Sequence, residues 1–171
     1  PHLYLWVDSG PKQIAPDIQR LAMPKACYLI DTHLAPQIRI EIARHFDFVF
    51  LAQKAQVPLF QDAGIANVYW LPLACSPELH DVGSLERRHD VGYIGRVQDD
   101  PHERRRRLLA RVRERFPNHV TGQQWPADMA RTYAQSKIVI NAAVQNDLNM
   151  RVFEAMASGA LLITDSAEGL V

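Results

Sequence analysis

FDFVFLAQKAQVPLFQDAGIANVYWLPL, from Phe46 to Leu73, decides the fold. It opens on an apolar run, FDFVFLA. A helix-period segment follows from about Gln53 to Ala63 and stops at Gly64. It closes on a second apolar run, NVYWLPL from Asn67. Neither run alternates apolar with polar residues, as a strand with one wet face would. Nearly continuous apolar strands joined through helices mark a parallel sheet covered by helices on both faces.

The same alternation extends upstream. LYLWVD from Leu3 and CYLID from Cys27 read as strands, with a short proline-flanked helix around Ala15 to Met23 between them. Pro36 suits the first position of a helix. Leu34, Ile38 and Ile42 supply an i, i+4, i+8 apolar stripe for it.

Downstream the character changes. SPELHDVGSLERRHD, from Ser76 to Asp90, is polar and has no period. We expect residues 1–80 to form one unit, 81–89 a linker and 90–171 a second unit. In the second, DVGYIGR is a strand ending in a glycine turn. A helix follows from about His102 to Phe116, with Leu108, Leu109, Val112 and Phe116 inward. HVTG is a short strand, and a helix runs from about Pro126 to Ser136. Then come the strand KIVINAAV, a helix from about Asn149 to Ser158 closed by Gly159, and the strand ALLITD. The predicted class is α/β: two consecutive open parallel-sheet units.

Composition excludes several classes. Formal net charge is zero across 171 residues, so no global field attracts nucleic acid. Cys27 and Cys75 both sit in apolar runs and read as reduced thiols, because a disulfide scaffold needs more cysteines in a shorter chain. No apolar run approaches the roughly 18 residues of a membrane span, and no signal peptide is visible. The reading is a cytoplasmic protein. The chain starts almost inside one strand-like run and stops at EGLV just after another, so a piece of a longer protein is expected.

In open α/β sheets, ligands bind beyond the carboxyl ends of the strands. That rule selects Asp8 and Ser9, Asp31, Thr32 and His33, Gln53, Gly95 and Arg96, Gly122 and Gln123, Gln145, Asn146 and Asp147, and Asp165. The strongest local signal is NDLNMRVFEAMASGALLITD, from Asn146 to Asp165. Asn149 is a good N-cap. A helix N-terminus suits an anion, and a diphosphate would offset the unfavourable placement of Arg151 in the first turn. Glu154 lies on the same face as Arg151. One reading has Arg151 meeting a diphosphate and Glu154 accepting ribose hydroxyls; the plainer one is a surface i, i+3 ion pair.

VGYIGRVQDDPHERRRRLL offers a second candidate, with Gly92 and Gly95 allowing a tight turn and Arg96 projecting at the strand end. The run from Arg104 to Arg107 lacks interleaved aromatics, which argues against a nucleic-acid partner. It reads as a solvated face with Glu103 and Arg107 paired. Asp31 and His33 end a strand and can do acid–base work or hold a sugar hydroxyl; a loop-fixing pair is the plainer reading. Tyr93, Trp125 and Trp70 read as packing.

Taken together, NMRVFEAMASGALLITD, YAQSKIVINAA, DVGYIGR with its basic LL helix and WLPLACSPELH resemble the glycosyl transferase group 1 family of the spore maturation protein CgeB type. WVDSGP and YLIDTHL resemble it more loosely. The resemblance implies a GT-B fold of two Rossmann-like parallel-sheet units, each incomplete in this sequence, with the acceptor on the N-terminal domain and the sugar nucleotide on the C-terminal one. It implies a nucleotide-diphosphate sugar as donor and no metal or other cofactor. Arg151, Gly95 and Arg96 would meet the diphosphate, and Glu154 the ribose. Asn146 stands where retaining members of the wider superfamily carry a first glutamate. On this basis Arg151, Arg96, His33 and Asp31 are the catalytic candidates, and Gly95, Arg96, Asn146, Asn149, Arg151 and Glu154 the donor-binding ones. The acceptor, whether glycan, protein or small molecule, is open. Two alternatives stand: a non-catalytic nucleotide- or protein-binding module, and a sugar-nucleotide epimerase of GT-B fold.

Overall fold

The computed structural model describes residues 2–8, 14, 17–97 and 103–170; Ser9, Ala15 and His102, raised above, lie outside them. The chain folds as two units, Pro1–Pro72 and Leu73–Leu170. Each is built on a four-stranded, wholly parallel sheet. The class is therefore α/β, with two Rossmann-like units.

The first unit runs β1 (Tyr4–Val7), β2 (Lys25–Leu29), α1 (Pro36–Ala43), β3 (Phe48–Leu51), α2 (Val57–Asp62) and β4 (Val68–Trp70), in sheet order β1-β2-β3-β4. Every crossover steps in the same direction. Right-handed connections then place their helices on the same face. Cys27, Leu29, Val49, Leu51 and Val68 form a core there with Ile40, Ala43 and Phe60. Each fully buried aliphatic side chain contributes about 1.5–3 kcal/mol. Among the described residues, helices cover only that face of this unit; on the other face Leu5, Val7, Phe48 and Tyr69 are exposed, where helices on both faces were expected. The α1 stripe is also phased differently. Leu34 precedes the helix and Ile38 is exposed, while Arg39, Ile40, Ile42 and Ala43 turn inward.

The second unit runs α3 (Pro77–His80), β5 (His89–Ile94), α4 (Glu103–Arg115), β6 (His119–Gly122), α5 (Pro126–Ala134), β7 (Ser136–Asn141), α6 (Met150–Ala157) and β8 (Leu161–Thr164). Its sheet order is β6-β5-β7-β8. The chain leaves β5 for one side, then returns across it to β7. Reversing direction puts helices on both faces. Leu109 and Val112 of α4 pack on Val91, Tyr93 and Ile140; α5 and α6 pack on Ile94 and Val139 from the other side. The strand order reverses between β5 and β7, the point where open sheets leave a crevice. Helix α3 packs against α5 and α6.

Arg87 braces this unit. Its Nη1 donates to the carbonyls of Tyr133, Ala134 and Ser136, and its Nη2 to that of Gly159 at 2.6 Å. One guanidinium thus serves carbonyls left open at the ends of α5 and α6. Among the described residues no helix is long and apolar enough to cross a membrane.

Candidate functional site

Arg151 lies across the crevice between β5 and β7. Its Nε donates to the Ile94 carbonyl at 3.0 Å and the Tyr133 hydroxyl at 3.2 Å. Its Nη1 donates to Asn141 Oδ1 at 2.8 Å. Ile94 ends β5 and Asn141 ends β7, so one side chain spans both strand ends. These acceptors are all neutral. Among the described residues no ion pair joins Arg151 to Glu154, which sets aside the plainer reading of a surface pair.

The acceptors are themselves held. Asn141 is buried; its Nδ2 donates to Thr164 Oγ1 at 2.9 Å, and its Oδ1 also accepts from Asn149 Nδ2 at 3.2 Å. Asn149 is the N-cap residue of α6, but its side chain makes no capping bond and is spent on Asn141. Tyr133 is fully buried on α5 and donates to the Ile94 carbonyl at 3.1 Å. Burial pushes its hydroxyl above the ordinary phenol range.

Two guanidiniums flank the buried Tyr93 ring. Arg151 lies 4.5 Å from its centroid and Arg105 lies 5.7 Å away. Arg105 occupies the inward face of α4 one turn before Leu109, a position an aliphatic residue would normally fill. Its Nε donates to the Ala142 carbonyl at 2.9 Å and its Nη1 to the Arg96 carbonyl at 2.8 Å, tying the β5 and β7 loops together. Burial first, and more weakly the nearby Arg151 charge, lower its proton affinity; Tyr93 and Asp165 oppose them. Two half-sealed cations hydrogen-bonded to neutral oxygens leave positive potential at the crevice, the electrostatic condition for an anion site.

The glycine turn fits this construction. Gly95 has φ of +153°, and a Cβ there would stand 2.2 Å from Arg151 Nη2. Only glycine leaves the guanidinium its place. Its amide donates to the Gly122 carbonyl at 2.7 Å, so β5 and β6 end side by side in glycines. Arg96 is exposed at the rim. Asn146 is exposed in the Val144–Asp147 turn with φ of 57°, on the loop between β7 and α6.

Glu154 sits one turn into α6 with its side chain 13% exposed. Burial raises its carboxyl above the ordinary range, while the charges of His80 and Arg151 pull the other way. His80, at the end of α3, brings Nε2 within 3.8 Å of Glu154 Oε1.

The basic run resolves residue by residue. Arg106 and Arg107 pair with Glu103, and Arg104 forms a two-pronged pair with Asp165. The Arg104 bonds, helped by the Ala143 amide at 2.9 Å, hold the Asp165 carboxyl below its usual range. Trp125 is 82% exposed beyond the end of β6, so its expected packing role does not hold. Tyr93 is core, and Trp70 is half-buried with Lys54 Nζ 5.1 Å from its ring.

The strand ends of the first unit carry polar residues of their own. Asp8 is buried and paired with Arg39 Nε at 3.2 Å. The Thr32 amide and hydroxyl both donate to Gln53 Oε1, at 3.0 and 2.8 Å. Gln53 therefore fixes the loop after β2. On that loop Asp31 is exposed with φ of 51°. An Asp31 carboxylate oxygen and a His33 ring nitrogen lie within 4.8 Å of one another. His33 Nδ1 is buried without a hydrogen-bond partner among the described residues.

Tyr133, Asn141, His80 and Arg105 were not singled out by sequence. Asn141 ends the apolar run KIVIN, and Arg105 stands at i−4 to Leu109; both positions were readable. Tyr133 is indistinguishable from core in a helical stripe, and His80 falls in a segment without period.

Residues 102–171 match the family model described as glycosyl transferase-like, so the region from α4 through β8 carries a glycosyl transferase-like segment. No curated protein matches the chain.

Proposed function

We propose that the chain belongs to a nucleotide-sugar-dependent glycosyltransferase of GT-B type, with the donor diphosphate at Arg151. The single observation that carries this is the Arg151 guanidinium laid across the ends of β5 and β7. It is supported by the match of the surrounding segment to a glycosyl transferase-like family. Sugar transfer breaks the bond between the anomeric carbon and the diphosphate oxygen, and negative charge grows on the leaving group. A guanidinium already fixed by three acceptors meets that charge with little reorganisation. Arg105 adds to the field from behind Tyr93, Arg96 offers a second donor at the rim, and Asn149 and Met150 open the α6 N-terminus toward the same place. Asn146 lines the loop above, where the donor sugar would sit. Glu154 accepts the ribose hydroxyls. No metal or further cofactor is needed on this reading, because arginines and a helix start take the charge. Asp31 and His33 serve the acceptor, His33 as base.

The test is a thermal-shift screen against UDP, GDP, ADP, CMP and dTDP and their sugars. A ligand bound only by the native state raises Tm by mass action. A selective rise that disappears in Arg151→Ala supports the assignment. A rise that survives Arg151→Ala removes it.

A second reading, nucleotide binding without transfer, is favoured by one observation. Asn146, exposed in its turn, stands where the resemblance expects a carboxylate. Donor hydrolysis or transfer by the protein excludes that reading.

A further inference from the structure

Four atoms define a feature that diphosphate binding leaves unexplained. His80 Nδ1 lies 2.8 Å from the Ser76 carbonyl oxygen. A carbonyl only accepts, so Nδ1 carries a proton, and in the neutral ring Nε2 is a bare lone pair. Nε2 is sealed and has no hydrogen-bond partner among the described residues. It faces Glu154 Oε1 at 3.8 Å, with the two side chains only 4% and 13% exposed. A lone pair does not face a carboxylate at that distance without cost, so the arrangement requires a proton on one of the two groups. The gap exceeds a hydrogen bond but closes with a small movement. The other ionisable groups acting on Glu154 are Arg151, whose charge favours the carboxylate, and the buried Tyr133 of α5.

We propose that His80 is a positioning residue for Glu154: one proton shared between Nε2 and Oε1 draws Oε1 inward and presents the other carboxyl oxygen to the ribose of a bound nucleotide. This rests on the reading of Glu154 as the ribose contact. His80 itself touches no ligand; its ring stands behind the carboxylate. The four-residue helix α3, packed against α5 and α6, carries His80 at its end. The device selects for a ribose hydroxyl, because a carboxyl oxygen held in place accepts its hydrogen bond better than a wandering one.

The experiment compares calorimetric affinities for the best-bound of UDP, GDP, ADP and CDP with those for its 2′,3′-dideoxy counterpart. It uses the chain itself and His80→Leu, His80→Gln, His80→Asn and Arg151→Ala. The wild type should prefer the ribonucleotide by about tenfold or more, the worth of a hydrogen bond to a charged group. His80→Leu should lose that preference. His80→Gln keeps an N–H at nearly the same reach and should retain most of it; His80→Asn is too short and should not. If His80→Leu fails to fold, the Gln and Asn variants decide alone. Unchanged preference in His80→Leu, or equal loss in the Gln and Asn variants, overturns the proposal. A double-mutant cycle of His80→Leu with Glu154→Gln, read by unfolding, should show coupling; additive effects overturn it as well. Wild-type binding that Arg151→Ala abolishes, with indifference to His80, sinks this inference alone. Absence of any nucleotide binding by the wild type sinks the donor-site reading and this inference with it.

Discussion

Replacing Gly95 by alanine tests whether Arg151 is held where the site requires it. Two costs follow from the structure. The backbone stands at φ of +153°, where a side chain is strained by about 1–3 kcal/mol. The new Cβ would also lie 2.2 Å from Arg151 Nη2, 3.3 Å from its Cζ and 3.1 Å from Tyr93 Oη. Tyr93 is fully buried and has nowhere to go. Arg151 must move, although three hydrogen bonds anchor it. Losing one bond to a charged group costs about 1.5–3 kcal/mol. The sum is about 2.5–6 kcal/mol, a large part of the roughly 5–15 kcal/mol that separates folded from unfolded domains. Native-state hydrogen exchange at the amides of Val91 and Val139 reads the stability of the second unit by itself. In the double variant with Arg151→Ala the clash with the guanidinium disappears, while the backbone cost and the tight Tyr93 contact remain. The two substitutions should therefore couple by about 1.5–3 kcal/mol. A Gly95→Ala cost under about 1 kcal/mol, or strict additivity, refutes the reasoning.

Glu154→Gln should stabilise the protein near neutral pH while weakening nucleotide binding. The folded carboxyl is raised, so its deprotonation opposes folding and its contribution is lost as pH rises through the folded value. Chemical unfolding across pH should show the gain at neutral pH shrinking as pH falls below the ordinary glutamate range. Asp165 runs the other way: Arg104 holds it low, so its stabilisation is present above the ordinary aspartate range and lost in acid. Because Arg104 is exposed, Arg104→Ala should cost less than about 1 kcal/mol at neutral pH, with a shallower acid limb in unfolding. Arg87→Ala removes donors from four carbonyls and should cost about 2 kcal/mol, seen as faster exchange at the ends of α5 and α6. Tyr133→Phe should cost about 1–2 kcal/mol and loosen Arg151, lowering nucleotide affinity without unfolding the unit.

The alternation of strands and helices was readable because continuous apolar runs such as FVFL and KIVI leave little else possible. What periodicity does not carry is winding direction. The second sheet reverses its order and is covered on both faces; the first steps one way, and its described helices cover one. Helix phase was also misread at α1, where Pro36 sets the start and leaves Leu34 outside. At the site, Gly95 and Arg151 were legible because strand-end glycines and a misplaced helix charge are local anomalies. Their supports were not. Asn141 reads as part of an apolar strand, Tyr133 as core, and His80 meets Glu154 across 74 residues of sequence (154 − 80). Arg105 was hidden in a run that otherwise pairs on the surface.

The most direct test follows the Arg151 side-chain Nε–H and the Gly95 amide by nuclear magnetic resonance during titration with a nucleoside diphosphate. Both signals should move together and saturate, and the same nucleoside without phosphate should leave them still. Shifts centred on the loop of Asp31 and His33, with Arg151 and Gly95 unmoved, would contradict a diphosphate site at the ends of β5 and β7.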